Sequence, residues 1–165
     1  MDYRISNVKV SLKTSPISLN SVFSECTKNC KNFIVLKKKY TYVIFKTNKE
    51  SVNHVNITKI PSLDKVFDSI EYLRNFFDFK VIKLSIDNII ASLKLNHCID
   101  LVSICEKKLF QSMKYNNKKF PGLFVKFKEG TAILFHSGKV VLVGCKNEEN
   151  LKCLTTNIYV AMKQL

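Results

Sequence analysis

Apolar and polar residues alternate with a period of two in two closely similar stretches of the chain. These stretches are ISNVKVSLK, from Ile5 to Lys13, and IDNIIASLK, from Ile86 to Lys94. A period of two is typical of a β-strand with one face turned toward a core. Because the phrase occurs twice, half a chain apart, we interpret it as an internal repeat. The predicted repeats are residues 1–80 and 81–165, joined in one domain.

Each repeated phrase is followed by the same series of predicted elements. A helical stretch comes first, then β-rich runs joined by short basic or glycine turns, then a closing helix. Each repeat is therefore predicted to have the order β-α-β-β-β-(β)-α. The helical stretches are residues 15–26 and 62–77 in the first repeat, and residues 96–113 and 147–165 in the second.

The predicted strands have two apolar faces. In the run TAILF, Thr131, Ile133 and Phe135 share one face, and Ala132 and Leu134 share the other. Helices on one side of an antiparallel sheet normally leave a polar face toward water. We therefore expect something else to cover the second face. A lipid, another protein and a DNA minor groove are the candidate ligands, and a sandwich or three-layer domain is the alternative.

Two asparagines lie on this second face, one in each repeated phrase. Asn7 and Asn88 project opposite to the all-apolar side, with Ser11 and Ser92 nearby. An asparagine amide can donate to the N3 and O2 acceptors that line an A·T minor groove. A turn or capping role is the alternative for either asparagine alone, and their repetition favours DNA over lipid.

The charge of the chain also favours a polyanionic partner. It has 27 basic residues against 13 acidic ones and a net charge of +14, and only Arg4 and Arg74 are arginines. Lysine suits diffuse phosphate contact, whereas arginine suits bidentate reading of bases. The alternative is a lysine-rich surface that reflects an A/T-biased coding sequence and keeps the protein soluble.

The sequence contains no motif typical of a metal-binding protein, an enzyme, a membrane protein or a secreted protein. The six cysteines contain no C-x-x-C pair, so we expect no metal site and no cofactor. There is no phosphate-cradling glycine loop, no useful carboxylate pair and no convincing Cys-His arrangement, so we expect no enzyme. No apolar run is long enough to span a bilayer, and the N-terminus resembles no signal peptide, which predicts a soluble intracellular protein.

Three segments of the second repeat carry a family resemblance. KKFPGLFVKF, TAILFHSGKVVLVG and NIYVAMKQL resemble the second repeat of the TATA-box-binding protein family, from about Ile86 onward. In the first repeat the resemblance rests on Asn7, Phe33, Phe45 and the helix pattern. It implies an α+β saddle built from a duplicated unit about a pseudo-twofold axis. A curved antiparallel sheet would carry the helices on its convex face and lie with its concave face in the minor groove.

The same resemblance implies a function. A transcription initiation factor of this type binds A/T-rich promoter DNA, bends it and recruits polymerase-associated factors. A cellular member would act in the nucleus, and a viral member at a cytoplasmic or nuclear replication site. The sequence leaves open whether the protein acts alone or as a heterodimer.

The resemblance also implies a set of site residues. Phenylalanine wedges that unstack base steps would come from Phe33 and Phe45 in the first repeat and from Phe120 and Phe135 in the second. The full implied DNA-contacting set is Asn7, Lys9, Ser11, Phe33, Phe45, Asn53, Asn88, Ile90, Ser92, Phe120, Thr131, Ile133, Phe135, Lys139, Val141 and Val143.

Two departures from the family pattern affect these expectations. Lys9 stands where the family has an apolar floor residue, so it either reaches phosphate or weakens the central fit. Asn116, Asn117, Lys118 and Lys119 replace acidic residues at the surface where a factor IIB-type partner docks. One rival interpretation is a saddle that binds other proteins without bending DNA. A weaker rival is an enzyme or lipid carrier with a similar order of elements.

Overall fold

The chain forms two compact units in a computed structural model that describes residues 3–47 and 51–164. We call residues 7–87 the first unit, and residues 3–6 with 88–164 the second unit. This division lies inside the predicted second repeat, seven residues after the predicted boundary at residue 80. The repeat boundaries themselves stay a prediction from the sequence.

The first unit is an antiparallel sheet with two helices. Its elements are β1 (Arg4–Ser18, which begins in the second unit), α1 (Leu19–Glu25), β2 (Lys28–Asn29), β3 (Phe33–Lys37), β4 (Thr41–Lys46), β5 (Ser51–Ile60) and α2 (Lys65–Arg74). The strands lie in the spatial order β2, β3, β4, β5, β1, and every neighbouring pair is antiparallel.

The second unit repeats this plan. Its elements are β6 (Val81–Lys94, which begins in the first unit), α3 (Leu101–Glu106), β7 (Met113–Lys114), β8 (Gly122–Lys126), β9 (Thr131–Phe135), β10 (Lys139–Cys145) and α4 (Glu148–Met162). The strand order is β6, β10, β9, β8, β7, again antiparallel throughout. The predicted order of elements is confirmed in both units, and the optional extra strand is the two-residue β2 or β7.

All four helices are shorter than the sequence predicts, and α3 is shortened most. The helix predicted at residues 15–26 starts only at Leu19, because residues 15–18 continue β1. The helix predicted at residues 96–113 covers only Leu101–Glu106. It ends early because the chain turns through Lys108, whose φ of 49° is incompatible with a right-handed helix.

The start of α3 is set by the side chain of Asp100. Its carboxylate accepts hydrogen bonds from the backbone N–H groups of Val102 and Ser103, which have no partner within the helix. The Ser103 hydroxyl also donates to it. These bonds favour the charged form and lower the pKa of Asp100, with the Ser103 hydroxyl as the largest cause.

The core of each unit lies between one face of the sheet and the helices. In β1 every second residue, Val8, Val10 and Leu12, is fully buried. α2 packs on β5 and α4 packs on β10 through apolar stripes spaced by three and four residues. Burial of each such aliphatic side chain contributes about 1.5–3 kcal/mol. The stripes comprise Val66, Ile70 and Leu73 in α2, and Leu151, Leu154, Ile158 and Met162 in α4. No helix in residues 3–47 and 51–164 is long and apolar enough to cross a membrane.

Each unit has a bulge at an equivalent place, where the strand next to the repeated phrase carries an extra residue. The β1–β5 register shifts between the pairs Val8–Ile60 and Val10–Ile57, and the β6–β10 register shifts between Ala91–Leu142 and Ile89–Cys145. Each shift places a residue in the left-handed region: Lys59 with φ 63° in the first unit, and Gly144 with φ 88° in the second.

Replacement of Lys59 by glycine should stabilise the protein. A left-handed conformation costs a non-glycine residue about 1–2 kcal/mol, and the greater freedom of glycine in the unfolded chain offsets part of that gain. We expect the free energy of unfolding of Lys59→Gly to rise by about 0.5–1 kcal/mol in urea denaturation. The mirror control, Gly144→Ala, should lose about 1 kcal/mol. Equal midpoints for wild type and Lys59→Gly would contradict the strain at this position.

Candidate nucleic-acid interface

In both units the strand side chains that point away from the buried core are only partly buried. In β9, Thr131, Ile133 and Phe135 are half-buried, whereas Ala132 and Leu134 are fully buried. The first open face consists of Asn7, Lys9, Ser11, Phe33, Val35, Val43, Phe45, Asn56 and Thr58. The second open face consists of Asn88, Ile90, Ser92, Phe120, Gly122, Phe124, Thr131, Ile133, Phe135, Val141 and Val143.

These faces decide between the two interpretations of the doubly apolar strands. In a sandwich or three-layer domain both faces of a strand would be internal. Here Asn88 and Phe135 remain half-buried within the described residues, and Phe120 is 39% exposed. Each unit therefore presents a largely apolar strand surface on the side opposite its core.

The two predicted asparagines occupy the same structural position in their units. Asn7 Oδ1 accepts a hydrogen bond from the backbone N–H of Lys59 at 2.9 Å, and Asn88 Oδ1 accepts one from Gly144 at 2.7 Å. Each bond therefore holds the left-handed residue of the bulge. Because the amide oxygen is engaged, the NH2 group of each side chain is the part left to donate to a ligand.

The phenylalanine pairs are similar but not equivalent. Phe33 is the cross-strand partner of Phe45, and their ring centroids are 6.4 Å apart. In the second unit the cross-strand partner of Phe135 is Gly122, and the Phe120 ring reaches Phe135 from two residues earlier, at 5.9 Å. By register, Phe33 therefore corresponds to Gly122 and not to Phe120.

A third aromatic residue extends the second open face. Phe124 is 36% exposed, and its ring centroid lies 5.2 Å from that of Phe120. Both rings line a groove of about 640 Å³ that is also lined by Lys114, Lys119 and Lys126. Phe124 is not among the residues expected from the sequence, although its spacing of two from Gly122 and four from Phe120 is typical of residues on one strand face.

The first open face contains a charged network instead. Lys9 Nζ lies 3.5 Å from Asp87 Oδ2, and the Ser11 hydroxyl donates to the same carboxylate oxygen at 2.5 Å. Ser11 Oγ also lies 2.8 Å from Asn56 Oδ1. The lysine and aspartate side chains are 40% and 31% exposed, so the ion pair contributes no more than about 1 kcal/mol. Asp87 and Asn56 were missed in the sequence, where nothing indicates that they meet Lys9 and Ser11.

The register also revises one predicted contact. Ser11 pairs with Asn56 and Ser92 pairs with Val141, so the residue that corresponds to Val143 is Thr58. The residue of β5 in the DNA-contacting set expected from the resemblance is Asn53. That residue lies at the other end of β5, where its side-chain oxygen accepts a hydrogen bond from the Thr47 hydroxyl at 2.8 Å. We therefore place Thr58, and not Asn53, on the first open face.

The remaining predicted residues lie at turns. Lys139 is exposed and follows the Ser137–Gly138 turn, where Gly138 has φ 80°. The predicted partner-binding residues form an exposed turn before β8, in which the backbone N–H groups of Lys119 and Phe120 donate to the Asn116 carbonyl. The members of this turn are Asn116, Asn117, Lys118 and Lys119.

The described residues include no group of three or more His, Cys, Asp or Glu side chains that could hold a metal ion.

The fold and the two open faces define a duplicated α+β protein with antiparallel strands and helices that cover one strand face of each unit. A family model described as transcription factor TFIID (or TATA-binding protein, TBP) matches residues 83–165, half of the chain. The chain belongs to this family.

Individual relatives agree with this assignment. The chain is 40% identical over 84 residues to the TATA-box-binding protein of Methanothrix thermoacetophila, across 50% of this chain and 45% of that protein. It is 31% identical over 131 residues to the TATA-box-binding protein of Pyrodictium occultum, across 77% of this chain and 64% of that protein. In these matches the chain spans only about half to two thirds of the length of its curated relatives.

A solved structure shows the same fold over the full chain. Methanococcus jannaschii TBP aligns with a TM-score of 0.84 and 24% sequence identity, and the alignment covers 100% of both chains. The predicted fold class, an α+β protein of the TATA-box-binding type, is confirmed. The roles assigned above to individual residues stay predictions.

Substitution of Gly122 tests how the second open face is assembled. A Cβ at this position would lie 2.6 Å from Phe120 Cε1 and 2.7 Å from Ile133 Cγ2. Gly122→Ala should therefore push the exposed Phe120 ring outward, with a loss of about 1 kcal/mol or more in the free energy of unfolding. NOE contacts between the Phe120 and Phe135 rings should weaken.

A double-mutant cycle provides the control for this substitution. Phe120→Ala removes the clashing ring, so Gly122→Ala should cost less in the Phe120→Ala background than in the wild type. Additive costs, with unchanged ring NOEs in Gly122→Ala, would contradict the close packing of Phe120 over Gly122.

Proposed function

We propose that this protein is a transcription initiation factor of the TATA-box-binding type, which binds A/T-rich duplex DNA through the minor groove. One observation carries the proposal most directly. Each open face places an asparagine, held by its oxygen, on a half-buried strand surface with its NH2 group available to donate. The floor of an A·T minor groove presents only the acceptors N3 and O2, so it complements such donors.

The apolar part of the open faces suits a deformed groove. Minor-groove proteins insert apolar side chains between base steps, which unstacks the bases and bends the duplex. We propose this role for Phe120 and Phe135 in the second unit and for Phe33 and Phe45 in the first. Phe120 is 39% exposed and Phe135 is half-buried, so the second pair can reach a ligand without opening the core.

The charge distribution suits the phosphates on either side of the groove. Lys114, Lys119 and Lys126 line the groove beside the exposed rings, and Lys139 is exposed at the start of β10. Lysines that neutralise phosphates release condensed counterions, so affinity should fall as salt rises. The net charge of +14 would also accelerate encounter with DNA.

Recruitment of other proteins completes the proposal. The turn at residues 116–119 is exposed and carries two lysines, so its partner should present acidic residues. In this role the protein carries out no catalysis of its own. It positions transcription proteins, among them polymerase-associated factors, at bent promoter DNA.

A second candidate function is protein binding without DNA bending. The observation that favours it is the carboxylate of Asp87 on the first open face, since an acidic group opposes approach to DNA. In that case the open faces would hold a protein ligand. The two experiments below separate the candidates.

Removal of the two rings of the second unit should abolish DNA bending. A short A/T-rich duplex labelled at its ends with a fluorescence donor and acceptor should show increased energy transfer with wild type. In Phe120→Ala, Phe135→Ala the change should be lost, and the affinity should fall at least about tenfold. The matched control is Phe67→Ala, which removes a ring that is 70% exposed on α2, away from the open faces. No wild-type binding at low salt would favour the protein-binding candidate.

Replacement of the Asn88 NH2 group by oxygen should weaken DNA binding without a loss of stability. In Asn88→Asp the carboxylate can still accept the Gly144 N–H, but it has no N–H to donate to bases and adds negative charge. The thermal midpoint should stay near that of wild type, while the affinity for A/T-rich duplex falls at least about tenfold. The control, Asn88→Ala, should show both a lower thermal midpoint and a lower affinity for the duplex. Undiminished duplex binding by Asn88→Asp would contradict the proposed donor role.

A further inference from the structure

The two open faces differ in chemistry at equivalent positions. In the repeated phrase, Lys9 and Ile90 occupy the same place, and so do Ser6 and Asp87. In the neighbouring strand Asn56 corresponds to Val141, because each pairs with the equivalent serine. Lys9 and Asn56 are therefore polar where Ile90 and Val141 are apolar, and the uncharged Ser6 stands in the place of Asp87.

We propose that the network of Lys9, Ser11, Asn56 and Asp87 accepts a G·C base pair in the minor groove, so that the protein tolerates or prefers one at a single position of its site. This proposal rests on the proposed function, since it specifies which sequences the DNA-binding surface reads. We call these four residues the acceptor network.

The hydrogen-bonding capacity of the acceptor network carries the argument. The single proton of the Ser11 hydroxyl serves Asp87 Oδ2, although Asn56 Oδ1 also lies within 2.8 Å. Lys9 also approaches Asp87 through Oδ2. In the described residues, Asp87 Oδ1 has no assigned hydrogen-bond donor, and the Asp87 side chain is 31% exposed. Asp87 Oδ1 is therefore an acceptor oxygen of a partly exposed side chain, and it receives no proton from the other members of the network.

Base chemistry in the minor groove offers one matching donor. A·T and T·A pairs present only acceptors there, and the guanine N2 amino group is the added donor of a G·C pair. A carboxylate that faces A·T acceptors would be left unsatisfied, whereas it can accept a charge-assisted hydrogen bond from guanine. A purely apolar floor, as at Ile90 and Val141, has no partner for that amino group and excludes it.

Lys9 makes this arrangement compatible with DNA. A lone carboxylate would be repelled by the phosphates on both sides of the groove. The ammonium group 3.5 Å away compensates that charge and leaves the acceptor geometry intact. We therefore assign Asp87 the recognition of the amino group and Lys9 the compensation of its charge.

The test compares guanine with inosine, which lacks only the N2 amino group. A series of otherwise A/T-rich duplexes carries one G·C pair at each successive position, and a second series carries I·C at the same positions. Affinities are measured by fluorescence anisotropy. At one position wild type should bind the G·C duplex at least as tightly as the I·C duplex, and at the others G·C should bind about tenfold more weakly.

A double variant gives the first open face the residues that the second unit has at two equivalent positions, Ile90 and Ser6. In Lys9→Ile with Asp87→Ser, the affinity for the I·C duplex should exceed that for the G·C duplex about tenfold at every position, with both affinities measured on the same variant. Asp87→Asn removes the charge and replaces one acceptor oxygen by an NH2 donor, so it should lower the affinity for G·C relative to I·C at the tolerated position. Thermal unfolding of each variant verifies that it is folded.

The outcomes distinguish this proposal from the proposed function. Wild-type binding of A/T and I·C duplexes, with rejection of G·C at every position, would overturn the acceptor network and leave the function intact. Tolerance of G·C that persists in the double variant would also overturn it. Absence of binding to any duplex, including the all-A/T one, would overturn both proposals.

Discussion

The properties of this protein depend on the fact that a β-strand has two sides and that, in each unit, one side packs into the core. Val8, Val10 and Leu12 illustrate the consequence, since they are fully buried while the side chains between them remain half-exposed. The apolar residues on the open side contribute little to that core. Their retention there, in both units, leaves each unit with a largely apolar strand surface that its own helices do not cover.

The same bond would serve both folding and the proposed recognition of DNA on these open faces. The side-chain oxygens of Asn7 and Asn88 each accept a hydrogen bond from the backbone N–H of a left-handed bulge residue. A strand side chain without such a bond would be free to rotate. The bond fixes the orientation of the amide before any ligand arrives. Little side-chain freedom is then lost on binding, so a donor of this kind is preorganised. The bulge that bends the strand therefore also fixes the orientation of the asparagine amide beside it.

Much of this arrangement could be predicted from local sequence. The repeated phrase, the alternation in TAILF and the order of elements all follow from periodicity, which acts over neighbouring residues. The extent of α3 could not, because it depends on the Asp100 cap and the turn at Lys108. The register that aligns Phe33 with Gly122, and the meeting of Lys9 with Asp87, depend on pairing between strands far apart in the chain. Loop lengths that differ between the units hide such pairings from any alignment of the repeats.

The unequal chemistry of the two units has a consequence for promoter polarity. A protein whose halves were chemically identical would gain nothing from facing either way along an A/T tract, because both ends of the tract would look alike to it. In the proposed complex with DNA, Lys9, Asn56 and Asp87 of one unit are matched by Ile90, Val141 and Ser6 of the other, so the two orientations of the protein along the duplex would differ in energy. A duplicated architecture can thus acquire a sense of upstream and downstream through the divergence of a few side chains, with its backbone plan unchanged.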